Sequence, residues 1–373
     1  FPQLFFYLKN KNFNFHFLFL ISILIFVSYK MNRYGEYGND APTHFLFFFL
    51  ISELIQWFDK KKQYFNPNHL LIAVFILLNK ITMAFAVFLP FIFFKKKNFL
   101  SLFQNPKVYF AFTFLFFWII KNIVVSGCMI YPINKLCFGS LEWSNISQVK
   151  AVSEENEAWT KSWPDFKNIN NISQKEYSSK FNWISTWNKT HLKKINKILI
   201  PYIILLSFIL LVIHLKYKNK KLSKYNHFNK DYLLLIIFMI IFTFIWFIKV
   251  PVYRYGYSYF ISFIALSFAY ICTKKYSIKK TAASFFSFFL IFFISVFVLK
   301  NIIRITKPEN YNKKFFPKIV YLDNSDIKKI ELNHLFYYES NKMCGYNFSP
   351  CTHYKNQKLK SKKYYSYKAI IVD

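Results

Sequence analysis

The chain has 373 residues, of which 54% are hydrophobic and 50 are Phe, and it carries a formal net charge of +33. A soluble domain of this size does not hide that much aromatic surface, so a lipid bilayer is the expected solvent. The charge lies in short runs between apolar stretches rather than on one basic face, which excludes nucleic acid as a partner despite its size.

In chain order, apolar runs occupy approximately 14–29, 45–58, 69–94, 107–120, 198–216, 232–248, 259–273 and 283–299. The chain opens on Phe1, and its first Met, Met31, closes an apolar run, so a start upstream is expected. Several runs are shorter than the roughly 20 residues of a straight span, which fits an all-α transmembrane bundle with short, re-entrant-like helices. Short loops set the orientation through their lysines. The loops after 58, 94, 216 and 273, with Lys107, hold 17 basic residues against Asp59 and Asp231, and are assigned to the cytoplasm. The loops 30–44 and 249–258 hold only Lys30, Arg33, Lys249 and Arg254, and are assigned outside.

Lysine runs flank 69–94 on both sides, so this segment must cross an even number of times. Asn79 and Lys80 at its middle predict a helical hairpin with a polar tip. About nine membrane segments result, with the first residues cytoplasmic and the C-terminus outside. A single span over 69–94 is the alternative and inverts everything upstream. Two observations outside the assignment agree with it: all six glycines and 14 of the 17 acidic residues fall in outer segments. The expected division is a bundle over 1–299, including a Trp-rich outer loop at 122–197, and a small α+β outer appendage over 300–373. Ile319–Tyr321 and Ala369–Val372 read as strands in that appendage. Cys128 with Cys137, and Cys344 with Cys351, are close pairs placed outside and suit two local disulfides. Cys272 reads as an apolar filler.

The first outer loop carries Glu36, Asp40 and His44 at spacings of four, with Gly38 and Pro42 opposing a helix before residue 42. Carboxylates held at a membrane surface act as general bases or divalent-cation ligands, so Mg or Mn is the one cofactor this chemistry admits; no metal-ligand set is assigned. On the residues alone, an ordinary polar loop with Glu36 paired to Arg33 is the favoured reading. The loop 122–197 holds Trp143, Trp159, Trp163, Trp183 and Trp187, which suit stacking on sugar rings or an interfacial helix. Arg254 stands in the very short loop between two runs, where a guanidinium either clamps a phosphate or snorkels to headgroups. Arg occurs elsewhere only at 33 and 304. Glu53 and Lys80 are the ionisable groups expected within the apolar layer, where they could pair with each other.

The phrases RYGEYGNDAPTH, KNIVVSGCMIYP, the Trp-rich loop, VPVYRYGY and CGYNFSPCTHY occur in this order along nearly the whole chain. In that order they resemble a family of uncharacterised bacterial inner-membrane proteins, itself similar to the GT-C class of membrane glycosyltransferases and, more loosely, to polysaccharide polymerases and ligases. The resemblance implies a GT-C-like fold, a polyprenyl-phosphate-linked sugar donor, a glycan or lipid acceptor and a periplasmic active site. It implies Asp40, with Glu36 or His44, as the catalytic group. Arg254, Tyr257, Lys121, Tyr131, Trp183 and Trp187 would then bind substrate. The class places its principal Asp in the loop after the first span, which leaves open whether Asp40 belongs to a supporting loop. A polymerase or ligase acting on lipid-linked glycans and a non-enzymatic membrane component or transporter are the rival expectations.

Overall fold

The computed structural model describes residues 2–31, 40–60, 65–93, 105–169, 171–217, 230–276, 278, 280–306, 327–332, 335–340, 351–352, 359–364 and 367–372. The described chain is mainly helical, and five of its helices are long and apolar enough to cross a membrane. It divides into two units. One comprises 1–118 and 154–304; the other comprises 119–153 and 305–373. The Trp-rich loop 122–197 is split between the two. Its first part belongs with the C-terminal residues and its second part with the helices.

In the first unit, α1 (Pro2–Lys9) precedes α2 (Phe15–Tyr29). The Asn14 side chain caps α2 by accepting from the Phe17 N–H. This helix is apolar all round and almost wholly buried, as an all-apolar helix must be when it sits at the centre of a bundle. At its C-terminus the Lys300 ammonium donates to the Ser28 and Tyr29 carbonyls, a cation where the helix leaves carbonyls unpaired. Next come α3 (Asp40–Asp59) and α4 (Pro67–Asn79), the latter capped by Asn66 with Pro67 at its first turn. A 3-10 helix, Ile81–Phe93, follows after a single extended residue, Lys80.

The 3-10 helix folds back on α4, bringing Phe91 to within 5.6 Å of Phe65 between ring centroids. This is the expected hairpin, with the break at Lys80. The segment is not one straight helix: Met83, with φ −101 and ψ 16, kinks it near its start, and Pro90 lies inside it.

The remaining helices of this unit include α8 (Ile184–Tyr217), α9 (Lys230–Lys249), α10 (Tyr257–Lys275) and α11 (Ala283–Thr306). Between α4 and α8 lie α5 (Pro106–Ser126), α6 (Ile146–Thr160) and α7 (Gln174–Ser179). α10 packs along α2 and shares its burial. Single buried hydrogen bonds tie the elements together: His16 to Ser52 at 2.7 Å, Ser22 to Tyr202 at 2.6 Å, and Tyr259 O–H to the Thr82 carbonyl at 2.9 Å. In apolar surroundings such bonds fix helix rotation that hydrocarbon contact alone leaves loose. α8 begins 14 residues before its apolar run at 198, with one π turn at Asn188–Leu192. Cys272 is buried in α10, as a filler would be.

The second unit holds the Cys128–Cys137 disulfide, as expected. The pair is braced by Phe138 N–H to Gly127 O and Met129 N–H to Leu136 O, both at 2.8 Å. Gly127 has φ +72, and a Cβ there would run into Ser144. Farther along, β1 (Ile327–Leu332) and β2 (Leu335–Ser340) pair antiparallel, with β3 (Cys351–Thr352) parallel to β2; β4 (Leu359–Tyr364) and β5 (Tyr367–Val372) form a separate antiparallel pair. The expected strand at 369–372 is part of β5. Cys351 is disulfide-bonded, whereas Cys344 and the expected strand at 319–321 lie outside the described residues.

Candidate functional site

Three separate elements of the first unit converge on one carboxylate. Asp40 is the first residue of α3, where a negative charge suits the helix dipole and Pro42 is tolerated in the first turn. The helix thus begins two residues before Pro42, earlier than expected, because proline obstructs only turns that precede it. Lys80 at the hairpin break contacts Asp40 Oδ1 directly. Arg254 approaches Oδ2 with its Nε at 3.6 Å. The Tyr255 ring lies beneath both cations, 3.9 Å from the Lys80 ammonium and 5.3 Å from the Arg254 guanidinium carbon. Lysine parity places residue 80 at the same end as the loops 30–44 and 249–258, and this was the signal available for the contact. The expected Glu53–Lys80 pair does not form. Glu53 is 13 residues along α3 from Asp40, roughly 20 Å at 1.5 Å per residue.

The Arg254 loop is held rigid through its carbonyls. Trp187 donates its indole N–H to Pro251 O at 2.6 Å, and Trp246 donates to Val252 O at 3.1 Å. His44 Nε2 is 2.8 Å from Arg254 O. A carbonyl only accepts, so the His44 proton sits on Nε2, and Nδ1 accepts from the Ser258 hydroxyl. Gly256 lies directly against the Trp246 indole, where a Cβ would approach within 2.4 Å. The Arg254 side chain, 56% exposed, therefore projects from a backbone that cannot drift.

This arrangement corrects several expected roles. His44 is buried with both ring nitrogens engaged, so it positions the Arg254 loop instead of assisting as a base or ligating a metal. Trp183 and Trp187 are interior, packed on Phe247 with ring centroids 5.3 and 5.1 Å away, and offer no open face for a sugar. Of the expected Trp residues, Trp159 is exposed. Tyr257 is buried edge-on to His44 at 5.8 Å and supports it rather than facing outward. Lys121 and Tyr131 are exposed but belong to the second unit. Glu36 lies outside the described residues. Among the described residues no group of three His, Cys, Asp or Glu side chains gathers to hold a metal ion.

Lys80 stands between two apolar helices and belongs to neither. Burial, with help from the Arg254 guanidinium, pushes its ammonium down to about 7. Because the shift is downward, the ammonium is complete well below pH 7 and lost as pH rises through 7, far earlier than an ordinary lysine. Amine-directed labelling of Lys80 should rise with a midpoint near pH 7, and in Arg254→Gln that midpoint should move upward. A midpoint near 10 in the unaltered protein contradicts this.

A family model described as a domain of unknown function (DUF8201) matches residues 2–261, a range that includes Asp40, Lys80 and Arg254. No curated protein and no solved structure matches the chain. With the match spanning well over half of its length, the chain belongs to the DUF8201 family.

Proposed function

We propose that this chain is a glycosyltransferase-like protein of the bacterial inner membrane, transferring a sugar from a polyprenyl-phosphate-linked donor at the periplasmic face. Its nine membrane segments are α2, α3, the two arms of the hairpin, α5, α8, α9, α10 and α11. The first residues are cytoplasmic and the C-terminal tail is periplasmic. Each of these segments is helical and each matches an apolar run, and the alternation of lysine-rich loops supports the orientation.

The observation that carries the proposal is the Asp40 carboxylate shared by Lys80 and Arg254. With Lys80 protonated, two cations and one anion leave a net positive charge, and Arg254 is open to an incoming ligand. A phosphodiester-linked donor brings one negative charge, and a second develops on the phosphate as the sugar departs. Fixed cations favour that later state over the earlier one. As the phosphate draws the cations, an Asp40 oxygen becomes free to take the proton of the acceptor hydroxyl. The new bond forms between that hydroxyl oxygen and the anomeric carbon. The bond from the anomeric carbon to the phosphate oxygen breaks, and its electron pair stays on the phosphate facing Arg254 and Lys80.

Transfer of radiolabelled sugar from a panel of polyprenyl-phosphate donors tests this with the protein in membranes. Asp40→Asn is expected to lower transfer by roughly 100-fold, and Arg254→Lys by about 10-fold through loss of the planar fork. Full transfer in both variants rejects these roles.

A further inference from the structure

The helix α8 carries two opposed faces along its whole length. Ile195, Ile198, Tyr202, Leu206, Ile209 and Ile213 are buried in the bundle. On the opposite side Ile200, Ile204 and Phe208 are 53%, 60% and 50% exposed, the face that meets hydrocarbon when the helix crosses a membrane. Continued toward the N-terminal end at the same helical spacing, this open face runs into Lys197, Lys193 and Lys189, all exposed. Helix continuity fixes their depth. Lys197 lies one residue before Ile198, and Lys193 and Lys189 stand roughly 6 and 12 Å farther out at 1.5 Å per residue. The headgroup layer is about 5–8 Å thick on each side of the hydrocarbon. Lys197 and Lys193 therefore fall inside that layer, and Lys189 lies beyond it on the water side. No Asp or Glu occurs from residue 177 to 230, and among the described residues none of these three lysines is ion-paired.

We propose that this face of α8 is a binding site for anionic phospholipid, with acyl chains on Ile200, Ile204 and Phe208 and the headgroup phosphate on Lys193 and Lys197. One lipid satisfies both halves of the stripe, which a soluble polyanion or an apolar partner helix does not. The site depends neither on sugar transfer nor on which side the lysines face.

Full-length protein in phosphatidylcholine bilayers, probed with spin-labelled phosphatidylglycerol or spin-labelled phosphatidylcholine, tests the site through the fraction of immobilised label. Phosphatidylglycerol is expected to be preferred by roughly five-fold, the worth of one lysine beside an anionic headgroup. The variant K189Q/K193Q/K197Q should bring the two labels level at an unchanged unfolding temperature. Lys180→Gln, which removes an exposed lysine already paired with Glu176, should keep the preference. If the triple variant misfolds, Lys193→Gln and Lys197→Gln should each lower the preference in part. Equal immobilisation in the unaltered protein, an unchanged preference in the folded lysine variants, or equal loss in Lys180→Gln overturns the proposal.

Discussion

Asp40→Ala is expected to destabilise the solubilised protein by about 2–3 kcal/mol, and Lys80→Met in the same chain is expected to recover most of that loss. Removing one partner of a buried ion pair costs roughly 3–5 kcal/mol, because the remaining charge is left without a counter-ion in low dielectric. The Lys80 side chain is only 9% exposed, so that cost applies to it. Asp40 is 35% exposed, and water screens part of the effect, which brings the figure down. Lys80→Met removes the stranded ammonium and keeps a chain of similar length over Tyr255. Arg254→Ala should cost less, under about 1 kcal/mol, since its contact is longer and its side chain more open. Thermal unfolding of the four corners of the Asp40/Lys80 cycle measures the coupling directly. Additive losses would show that the two residues do not act as a pair.

Gly256→Val should be comparably damaging, by about 2–4 kcal/mol, for a reason that involves no charge. Gly256 has φ −90, a backbone conformation open to any residue, so flexibility is not what the position requires. Space is. A Cβ would meet the Trp246 indole at 2.4 Å, and Trp246 is buried with its N–H committed to Val252 O. Overpacking of a full site costs roughly 1–3 kcal/mol, and releasing the indole bond adds about 1 kcal/mol. The displaced loop also carries Arg254, so the proposed sugar transfer, and any anion binding by that residue, should fall with stability. Gly256→Ala combined with Trp246→Phe should recover part of the loss seen in Gly256→Ala alone, because the smaller ring vacates the contact. Unfolding temperature and Trp fluorescence together report the outcome. No effect of either glycine substitution would refute the packing argument.

Glycine 256 also marks the limit of what a sequence discloses. Its presence signals either a tight turn or a close approach, and only the neighbouring ring decides between them. The tryptophans behave similarly. Five in one segment suit sugar stacking or burial equally on composition, and Trp183 and Trp187 prove to be interior, one of them clamping the Arg254 loop. His44 was visible as a polar residue near Asp40, but its two hydrogen bonds turn it from a chemical group into a brace.

The sequence by itself determined the apolar helices, the doubling back of 69–94, and the set of loops gathered at one end with Asp40, Lys80 and Arg254. These follow from quantities that run along the chain, namely hydropathy and the alternation of lysine-rich loops. Only the tertiary structure decided that Lys80 meets Asp40 instead of Glu53, that Tyr255 lies beneath both cations, and that α8 extends past its apolar run to carry lysines above its open face. Such pairings depend on the rotation of each helix about its axis and on side-chain approach at the scale of a few ångströms. A one-residue change in helix phase leaves hydropathy nearly unaltered while turning a side chain by about 100°.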